Sequence, residues 1–327
     1  MTYSQETYTF ATFKGIPLKA TFYRPSSTIT YQATLLYFHG GGLIFGQRDD
    51  LPETYLTLLT QAGYGILAID YLLAPESRLD LIIDYAQAAV DWFLASASQT
   101  AADASSAKPK NDNNGNSQTD NIQELTVDAD NKHENKNKLN LPHNRYYLFG
   151  RSAGTYLALY LAAHHDQRSH SQQAEGIIAL YGYFTLNEAS FNIPSRHFLQ
   201  FNTVPERSIQ KLIRQTPLVT GPMTERFVIY LAARQTGEWI PQLLPKNASA
   251  RDYSLTPADL KALPKSFIAA GVKDPDVPVR QSRLMSQHIP QSQLHLIDTV
   301  EHDFDRTQIE THGRILYGNI LTWLNEL

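Results

Sequence analysis

The chain has 327 residues, of which 42% are hydrophobic and 18% charged, and its formal net charge at pH 7 is -4. This length and apolar content suffice for one large α/β domain with a substantial core, and they exclude a wholly disordered chain. The negative charge and the lack of a Lys/Arg cluster argue against a nucleic-acid partner, and the lack of cysteine excludes disulfides and thiolate metal sites.

The amino terminus and the hydropathy pattern indicate a protein that works outside membranes. The opening residues, MTYSQETYTF, do not pair a basic segment with an apolar one, so we predict no signal peptide. No run of 18 apolar residues occurs, so we predict no membrane span. We therefore expect a cytoplasmic protein.

Strand-like and helix-like segments alternate along the chain after an opening hairpin. Two aromatic-rich alternating runs, 8–13 and 18–23, flank a Lys-Gly-Ile-Pro turn and predict that hairpin. Periodicity then predicts strand 34–38, helix 51–61, strand 66–70, helix 80–95, strand 146–149, helix 152–163, strands 177–180 and 267–270, helix 279–288, strand 294–297 and helix 308–324. This alternation predicts a single α/β domain, with a mostly parallel sheet and helices on both faces.

Two segments interrupt the alternation. Residues 100–140 contain nine asparagines and no Phe, Tyr or Trp, so they cannot bury enough apolar surface and are predicted to form a disordered insertion. Residues 183–263 are too apolar and aromatic for a linker. They are predicted to form a helical cap subdomain over the edge of the sheet where the parallel strands end.

Ser152 lies at the bend between a predicted strand and a predicted helix, within Gly150-Arg-Ser-Ala-Gly154. Glycines two residues on either side allow a sharp turn that projects the serine hydroxyl, and the start of a helix favours a developing negative charge. A serine that merely caps the helix is the alternative. The strand before it and the helix after it favour a nucleophile.

Three glycines follow His39 directly after predicted strand 34–38. Backbone without side chains can turn its N–H groups toward a ligand, and acyl transfer needs such donors for its oxyanion. We predict that the N–H groups of Gly41, Gly42 and Ala153 form an oxyanion hole. His39 is expected to hold the shape of the loop. Leu43, Phe45 and aromatic residues of the cap are candidates for an apolar substrate pocket.

A serine nucleophile needs a general base and a carboxylate that orients the base. His302 follows the last predicted strand on a loop at the same edge of the sheet, whereas the histidines at 164, 165, 170, 288, 295 and 312 lie in or beyond helices or in a strand. For the carboxylate, Asp274 and Asp276 both follow strand 267–270. Asp274 is favoured because it comes first after the strand, while Asp276 suits a helix amino terminus.

Five motifs together resemble the hormone-sensitive-lipase-like esterases of the α/β-hydrolase fold: His39-Gly-Gly-Gly42, Asp70-Tyr-Leu-Leu-Ala-Pro-Glu76, Gly150-Arg-Ser-Ala-Gly154, Asp274-Pro-Asp-Val-Pro278 and His302-Asp-Phe-Asp305. The resemblance implies an eight-stranded sheet and a Ser152–Asp274–His302 triad. It also implies hydrolysis of small-molecule carboxylic esters with short-to-medium acyl groups, without cofactor or metal. Esterases of this group are often dimers, so it allows a homodimer.

Three residues depart from the pattern of this group. Leu72 stands in place of an arginine, Arg151 in place of an acidic residue, and Thr155 in place of a glycine. These departures affect the expected substrate preference rather than the chemistry. A peptidase or amidase with the same triad, and a non-catalytic binding protein on this fold, are the alternative functions.

Removal of residues 100–140 through a short Gly/Ser linker is expected to leave the fold and the activity intact, because a disordered insertion buries no core surface. Soluble yield and circular dichroism of the deletion variant would be compared with those of the full chain. Loss of soluble protein would contradict the prediction.

Overall fold

The structure is a computed structural model that describes residues 3–103, 138–165 and 172–326. Within these ranges one sheet contains β1 (Tyr3–Phe13), β2 (Ile16–Pro25), β3 (Ala33–Phe38), β4 (Tyr64–Ile69), β5 (Tyr146–Arg151), β6 (Ile177–Leu180), β7 (Ser266–Gly271) and β8 (Gln293–Ile297). Its order is β1-β2-β4-β3-β5-β6-β7-β8. β2 pairs antiparallel with β1 and β4, and the other neighbouring pairs are parallel. The predicted fold class is confirmed.

The opening hairpin turns through two residues, Lys14 and Gly15, with φ values of 48° and 78°. The backbone twist of a two-residue turn with positive φ at both positions matches the right-handed twist of the two strands that it joins. Lys14 and Gly15 therefore close a tight antiparallel hairpin. The pair then joins the parallel strands through β2, which lies against β4.

Helices cover both faces of the sheet. They are α1 (Glu53–Gln61), α2 (Leu79–Asp103), α3 (Ala153–Ala163), α4 (Glu206–Leu212), α5 (Met223–Thr236), α6 (Trp239–Leu243), α7 (Pro257–Lys261), α8 (Arg280–His288), α9 (Phe304–Thr307) and α10 (Arg314–Asn325). Leu36 and Phe38 of β3 pack in one apolar cluster with residues of α2, α3 and α8, while Leu35 and Tyr37 pack in the other with α1 and α10. In the ranges that the structure describes, none of these helices is long and apolar enough to cross a bilayer.

The segment of residues 183–263 lies between β6 and β7 and contains α4 to α7. Its packing rests on buried aromatic side chains, among them Phe191 and Trp239, whose rings meet edge to face at 4.9 Å. Gly221 of this segment exchanges two backbone hydrogen bonds with Gly46, at 2.6 and 2.9 Å. The segment is thereby attached to the loop that follows β3.

The closing helix differs from the prediction. Instead of one helix over 308–324, α9 is followed by a π-helical turn, Ile309–Gly313, and then by α10. Gly313 lies so close to α1 that a Cβ there would stand 1.9 Å from the Tyr55 hydroxyl, while the Tyr55 ring stacks on Tyr317 at 3.6 Å. The break therefore lies where the chain packs closely against α1, a tertiary contact that periodicity does not reveal.

Residues 104–137 of the predicted insertion lie outside the described residues. Both of its ends are described: α2 continues to Asp103, and Leu139 is buried with its carbonyl accepting a 2.6 Å hydrogen bond from Arg24. Helix α2 therefore extends into the predicted insertion at one end, and the buried Leu139 lies inside its predicted limit at the other. A deletion of 104–137 tests the insertion without removing Leu139.

Gly313→Ala should destabilise the fold by about 1–3 kcal/mol, because its methyl group would displace the Tyr55 hydroxyl. Gly318→Ala, at an exposed position of α10 with nothing within 4 Å of the added Cβ, is the matched control and should stabilise the fold by up to about 1 kcal/mol. Urea denaturation measures both. Equal effects, or a neutral Gly313→Ala, would contradict this account.

Candidate active site

Ser152 adopts a strained backbone conformation at the junction of β5 and α3, with φ 52° and ψ −117°. Such a conformation costs a non-glycine residue of order 1–3 kcal/mol and persists where the surroundings enforce it. Flanking residues without side chains make the turn possible: a Cβ on Gly150 would approach Gly154 to 2.3 Å, and one on Gly154 would approach the Phe38 carbonyl oxygen to 2.0 Å. The turn projects Ser152 from the end of the central strand.

The predicted base and acid meet at Ser152. His302 Nε2 lies 2.8 Å from Ser152 Oγ, and His302 Nδ1 lies 2.6 Å from Asp274 Oδ2. The side chain of Asp274 is fully buried, and its other oxygen accepts hydrogen bonds from the N–H groups of Asp276 and Val277 at 2.8 and 3.0 Å. The carboxylate is thus held in one orientation, with one oxygen on the imidazole.

Asp276, the alternative acid, points elsewhere. Its two carboxylate oxygens accept the Tyr230 hydroxyl at 2.8 and 2.9 Å, and Oδ1 lies 3.3 Å from Arg234 Nε. Both partners belong to α5. The structure therefore brings Asp274 rather than Asp276 to His302.

Burial and nearby carboxylates act in opposite directions on His302. Burial disfavours the charged ring and is the largest single influence, but the charge and hydrogen bond of Asp274, aided by the charges of Asp276 and Asp303, outweigh it. Together they raise the pKa of His302 from 6.5 to about 9. The raised pKa favours the protonated imidazole at neutral pH.

In the loop after β3, the backbone N–H groups of Gly41 and Gly42 make no hydrogen bond with the described residues around them. The Gly41 carbonyl accepts hydrogen bonds from Ile44 and Phe45 at 3.0 Å, and the Gly40 carbonyl lies 2.7 Å from His39 Nδ1. The Gly41 carbonyl shares its peptide group with the Gly42 N–H, and the Gly40 carbonyl shares its peptide group with the Gly41 N–H. Because the C=O and N–H of a trans peptide point in opposite directions, both N–H groups point away from the acceptors' partners within the loop. Among the described residues neither N–H has a hydrogen-bond acceptor.

This loop lies against Ser152. A Cβ on Gly40 would stand 3.3 Å from Ser152 Cβ. Positive φ values of 107° at Gly41 and 61° at Gly42 form the turn. The N–H of Ala153, at the first position of α3, is the third donor predicted here, since the first N–H groups of a helix have no partner within it.

His39 packs against Tyr71 beneath the loop that it begins. It is fully buried, its ring stacks on Tyr71 at 4.1 Å, and the Tyr71 hydroxyl donates to the His39 carbonyl at 2.9 Å. Burial lowers the pKa of His39, so the ring stays neutral. These contacts accord with the predicted role of shaping the loop.

Two aromatic residues that the sequence offered as pocket candidates, Tyr230 of α5 and Trp239 of α6, also hold this loop, a role that the sequence did not indicate. Trp239 donates its indole N–H to the Gly42 carbonyl at 3.0 Å, and Tyr230 packs so closely that a Cβ on Gly42 would meet its ring at 2.5 Å. The hydrogen bond from the Trp239 indole joins residues 197 positions apart in the sequence. No local pattern indicates this contact.

Arg226 is a residue of this region that sequence reasoning missed. Its buried guanidinium pairs with Glu76 at 2.7 Å and donates to the carbonyls of Ile44 and Ala74, both at 2.9 Å. An arginine in an apolar segment, together with the glutamate of the Asp70–Glu76 motif, is the signal that could have indicated the pair. It attaches α5 to both loops beside the glycine turn.

A pocket of about 770 Å³ opens over Ser152 and His302. One group of lining residues is aromatic, and its rings contact one another: Phe45, Phe198, Phe227 and Tyr230. The charged lining residues include Asp50, Glu301, Asp303 and Arg306. Among the described residues no group of three or more His, Asp or Glu is arranged to hold a metal ion.

A family profile described as alpha/beta hydrolase fold matches residues 35–305. Acetyl esterases of Salmonella paratyphi B and Salmonella typhi are 38% identical to the chain over 64 residues, which is 20% of this chain and 20% of each esterase. The matched stretch therefore spans about a fifth of the length of these relatives.

Solved structures resemble the chain over nearly its whole length. A protein of unknown function from Staphylococcus aureus superposes with a TM-score of 0.76 at 29% identity and 98% coverage of both chains. An alpha/beta hydrolase superfamily protein from Enterococcus faecalis gives 0.75 at 24% identity and 99% coverage of both. Carboxyl esterase 2 from Tuber melanosporum gives 0.60 at 16% identity, covering 100% of this chain and 88% of that one. At under 25% identity, the last two matches establish the fold alone.

The imidazole of His302 should titrate near pH 9, which NMR of its ring Cε1–H would detect after assignment with His302→Asn. Asp274→Asn should lower this pKa, because burial then acts with less opposition. Glu310→Gln, which removes an exposed carboxylate paired with Arg314, is the control and should leave it unchanged. A wild-type pKa near 6.5, or no shift in Asp274→Asn, would contradict the assigned contacts.

Proposed function

The chain belongs to the alpha/beta hydrolase fold family, and we propose that it is a serine hydrolase of carboxylic esters. The observation that carries the proposal is the unbroken hydrogen-bonded path from Ser152 Oγ through His302 to Asp274, at 2.8 and 2.6 Å. A serine hydroxyl is a poor nucleophile alone and becomes effective when a base takes its proton. The similarity to acetyl esterases over 64 residues supports an ester as the bond that is cleaved.

In the first half-reaction Ser152 Oγ attacks the ester carbonyl carbon while His302 Nε2 takes the hydroxyl proton. Asp274 stabilises the imidazolium that forms and keeps Nδ1 protonated. Collapse of the tetrahedral intermediate breaks the bond to the alcohol oxygen, which receives the proton from His302. The products at this stage are the free alcohol and an acyl group on Ser152.

In the second half-reaction a water molecule attacks the acyl carbonyl, with His302 as its base. The Ser152 oxygen leaves with the proton, and the carboxylic acid is released. The reaction balances with water as its only co-reactant. The proposed reaction therefore uses no cofactor.

The oxyanion of each tetrahedral intermediate is proposed to accept hydrogen bonds from the N–H groups of Gly41, Gly42 and Ala153. Donors fixed before the reaction do not have to reorganise as the charge develops, and removing one such donor costs about 3 kcal/mol of transition-state stabilisation in comparable sites. The unpartnered N–H groups of the two glycines support this role.

Short-to-medium acyl esters are the proposed substrates. A 770 Å³ pocket is larger than an acetyl group requires, and the contacting rings of Phe45, Phe198, Phe227 and Tyr230 provide an apolar wall for an acyl chain or for the alcohol part.

The rate of hydrolysis should rise with pH between 7 and 9. His302 must be neutral to act as a base, and its pKa is raised to about 9.

Hydrolysis of p-nitrophenyl esters from acetate to palmitate should be greatest for short and medium chains. Ser152→Ala should lower kcat by about 10³-fold or more, and Asp274→Asn by about 10⁴-fold, because the base then lacks its orienting partner. Ser208→Ala, an exposed serine of α4, is the control and should keep the full rate. Undiminished hydrolysis by Ser152→Ala would exclude this serine, and no hydrolysis of any ester by the wild type would exclude the substrate class.

A further inference from the structure

A buried ion pair outside the triad and the glycine loop joins the two chain segments that carry Ser152 and His302. Arg151 directly precedes Ser152, and Asp305 follows His302 by three residues. Arg151 Nη2 lies 3.0 Å from Asp305 Oδ1, and the side chains are 3% and 0% exposed. We propose that Arg151 and Asp305 are positioning residues that hold Ser152 and His302 at hydrogen-bond distance. This inference rests on the proposed function, because it concerns the same nucleophile and base.

The polar atoms of the pair are satisfied by tyrosines. Arg151 Nε donates to the Tyr181 hydroxyl at 2.6 Å, and Nη1 donates to the Tyr37 hydroxyl at 3.3 Å. Asp305 accepts the Tyr181 hydroxyl on Oδ1 at 2.7 Å and the Tyr317 hydroxyl on Oδ2 at 3.1 Å. The network therefore spans β3, β5, the residue after β6, α9 and α10.

Asp50 adds a second carboxylate on the pocket side. Its Oδ2 lies 3.5 Å from Arg151 Nη1, and its Oδ1 accepts the Tyr37 hydroxyl at 2.5 Å. Arg151 thus has Asp305 on one side and Asp50 on the other. Both carboxylates limit the movement of the guanidinium plane.

The same network touches the imidazole. The ring of Tyr181, whose hydroxyl bridges Arg151 and Asp305, meets the His302 ring edge to face at 5.1 Å and 69°. Behind Ser152, the backbone N–H of that residue donates to the Leu180 carbonyl at 2.9 Å. Residues 180 and 181 therefore contact the nucleophile on one side and the base on the other.

Stability alone does not account for an ion pair in this place. Removing two charges from water costs about as much as their attraction returns, and apolar replacements are often neutral or stabilising. The pair instead fixes the relative orientation of its two residues, because a planar guanidinium with several fixed donors allows few arrangements of its partners. At Ser152, whose strained backbone must be held by its surroundings, this orientation acts on the reacting oxygen.

Arg151→Met and Asp305→Asn should each lower kcat for a p-nitrophenyl ester by about 10–100-fold with KM changed less than threefold, since a misplacement near 1 Å can cost about 100-fold. Because both changes disrupt the same network, the loss of kcat in the double variant should be smaller than the product of the two single losses. Arg280→Met, which breaks the remote pair with Glu188, is the control and should keep the wild-type kcat.

Tyr181→Phe is the milder variant should the charge changes prevent folding. It removes only the hydroxyl that bridges Arg151 and Asp305 and keeps the ring against His302. It should lower kcat severalfold while far-UV circular dichroism and the urea midpoint show a folded chain. A folded Tyr181→Phe, Arg151→Met or Asp305→Asn with wild-type kcat, or single effects that multiply in the double variant, would overturn the proposal.

Labelling by a fluorophosphonate separates this inference from the choice of substrate. Ser152 Oγ forms a bond to phosphorus, fluoride leaves, and His302 receives the hydroxyl proton, so the rate reports the Ser152–His302 geometry without an ester. If the wild type is labelled at Ser152 but hydrolyses no ester, the proposed substrate class fails, and slower labelling of Arg151→Met still supports the positioning role. Equal labelling rates in both proteins would overturn that role.

Discussion

The backbone at Ser152, with φ 52° and ψ −117°, is unfavourable for a residue with a side chain, and much of the surrounding structure serves to hold it. Gly150 and Gly154 let β5 and α3 meet, and the Phe38 carbonyl packs against Gly154. Thr155, which replaces a glycine expected from the resemblance, places its hydroxyl 2.8 Å from the Gly150 carbonyl oxygen and 3.1 Å from that of Leu180. This departure adds a polar contact to the turn instead of loosening it.

Hydrogen bonds join the segment of residues 183–263 to the glycine loop, which begins at His39 and contains Gly40, Gly41 and Gly42. Trp239 bonds to the Gly42 carbonyl, Arg226 bonds to the Ile44 carbonyl, and Gly221 pairs with Gly46. The proposed oxyanion donors therefore depend on residues that also build the pocket wall. A substitution in α5 or α6 that changes the pocket would consequently be felt at the glycine loop, which couples substrate selection to rate in the proposed enzyme.

Buried charges concentrate where the parallel strands end. Arg151 with Asp305 and Arg226 with Glu76 are almost fully buried pairs, and His302 pairs with the fully buried Asp274. Elsewhere the sheet is covered by apolar side chains in two clusters. A buried ion pair adds little net stability. This distribution therefore fits a fold in which apolar packing stabilises the domain, while the charged groups set the geometry of the pocket.

The sequence by itself determined the alternating strands and helices, the turn at Ser152, the glycine loop and the position of His302 on the last loop. Each of these follows from local periodicity or from glycines at a required bend. Only the tertiary structure decided between Asp274 and Asp276, which lie two residues apart with one carboxylate on His302 and the other on Tyr230. It also decided the break before α10 and the contacts that Trp239, Arg226 and Asp305 make. These features arise from contacts between residues far apart in the chain, and such contacts depend on how the helices pack, which no local pattern encodes.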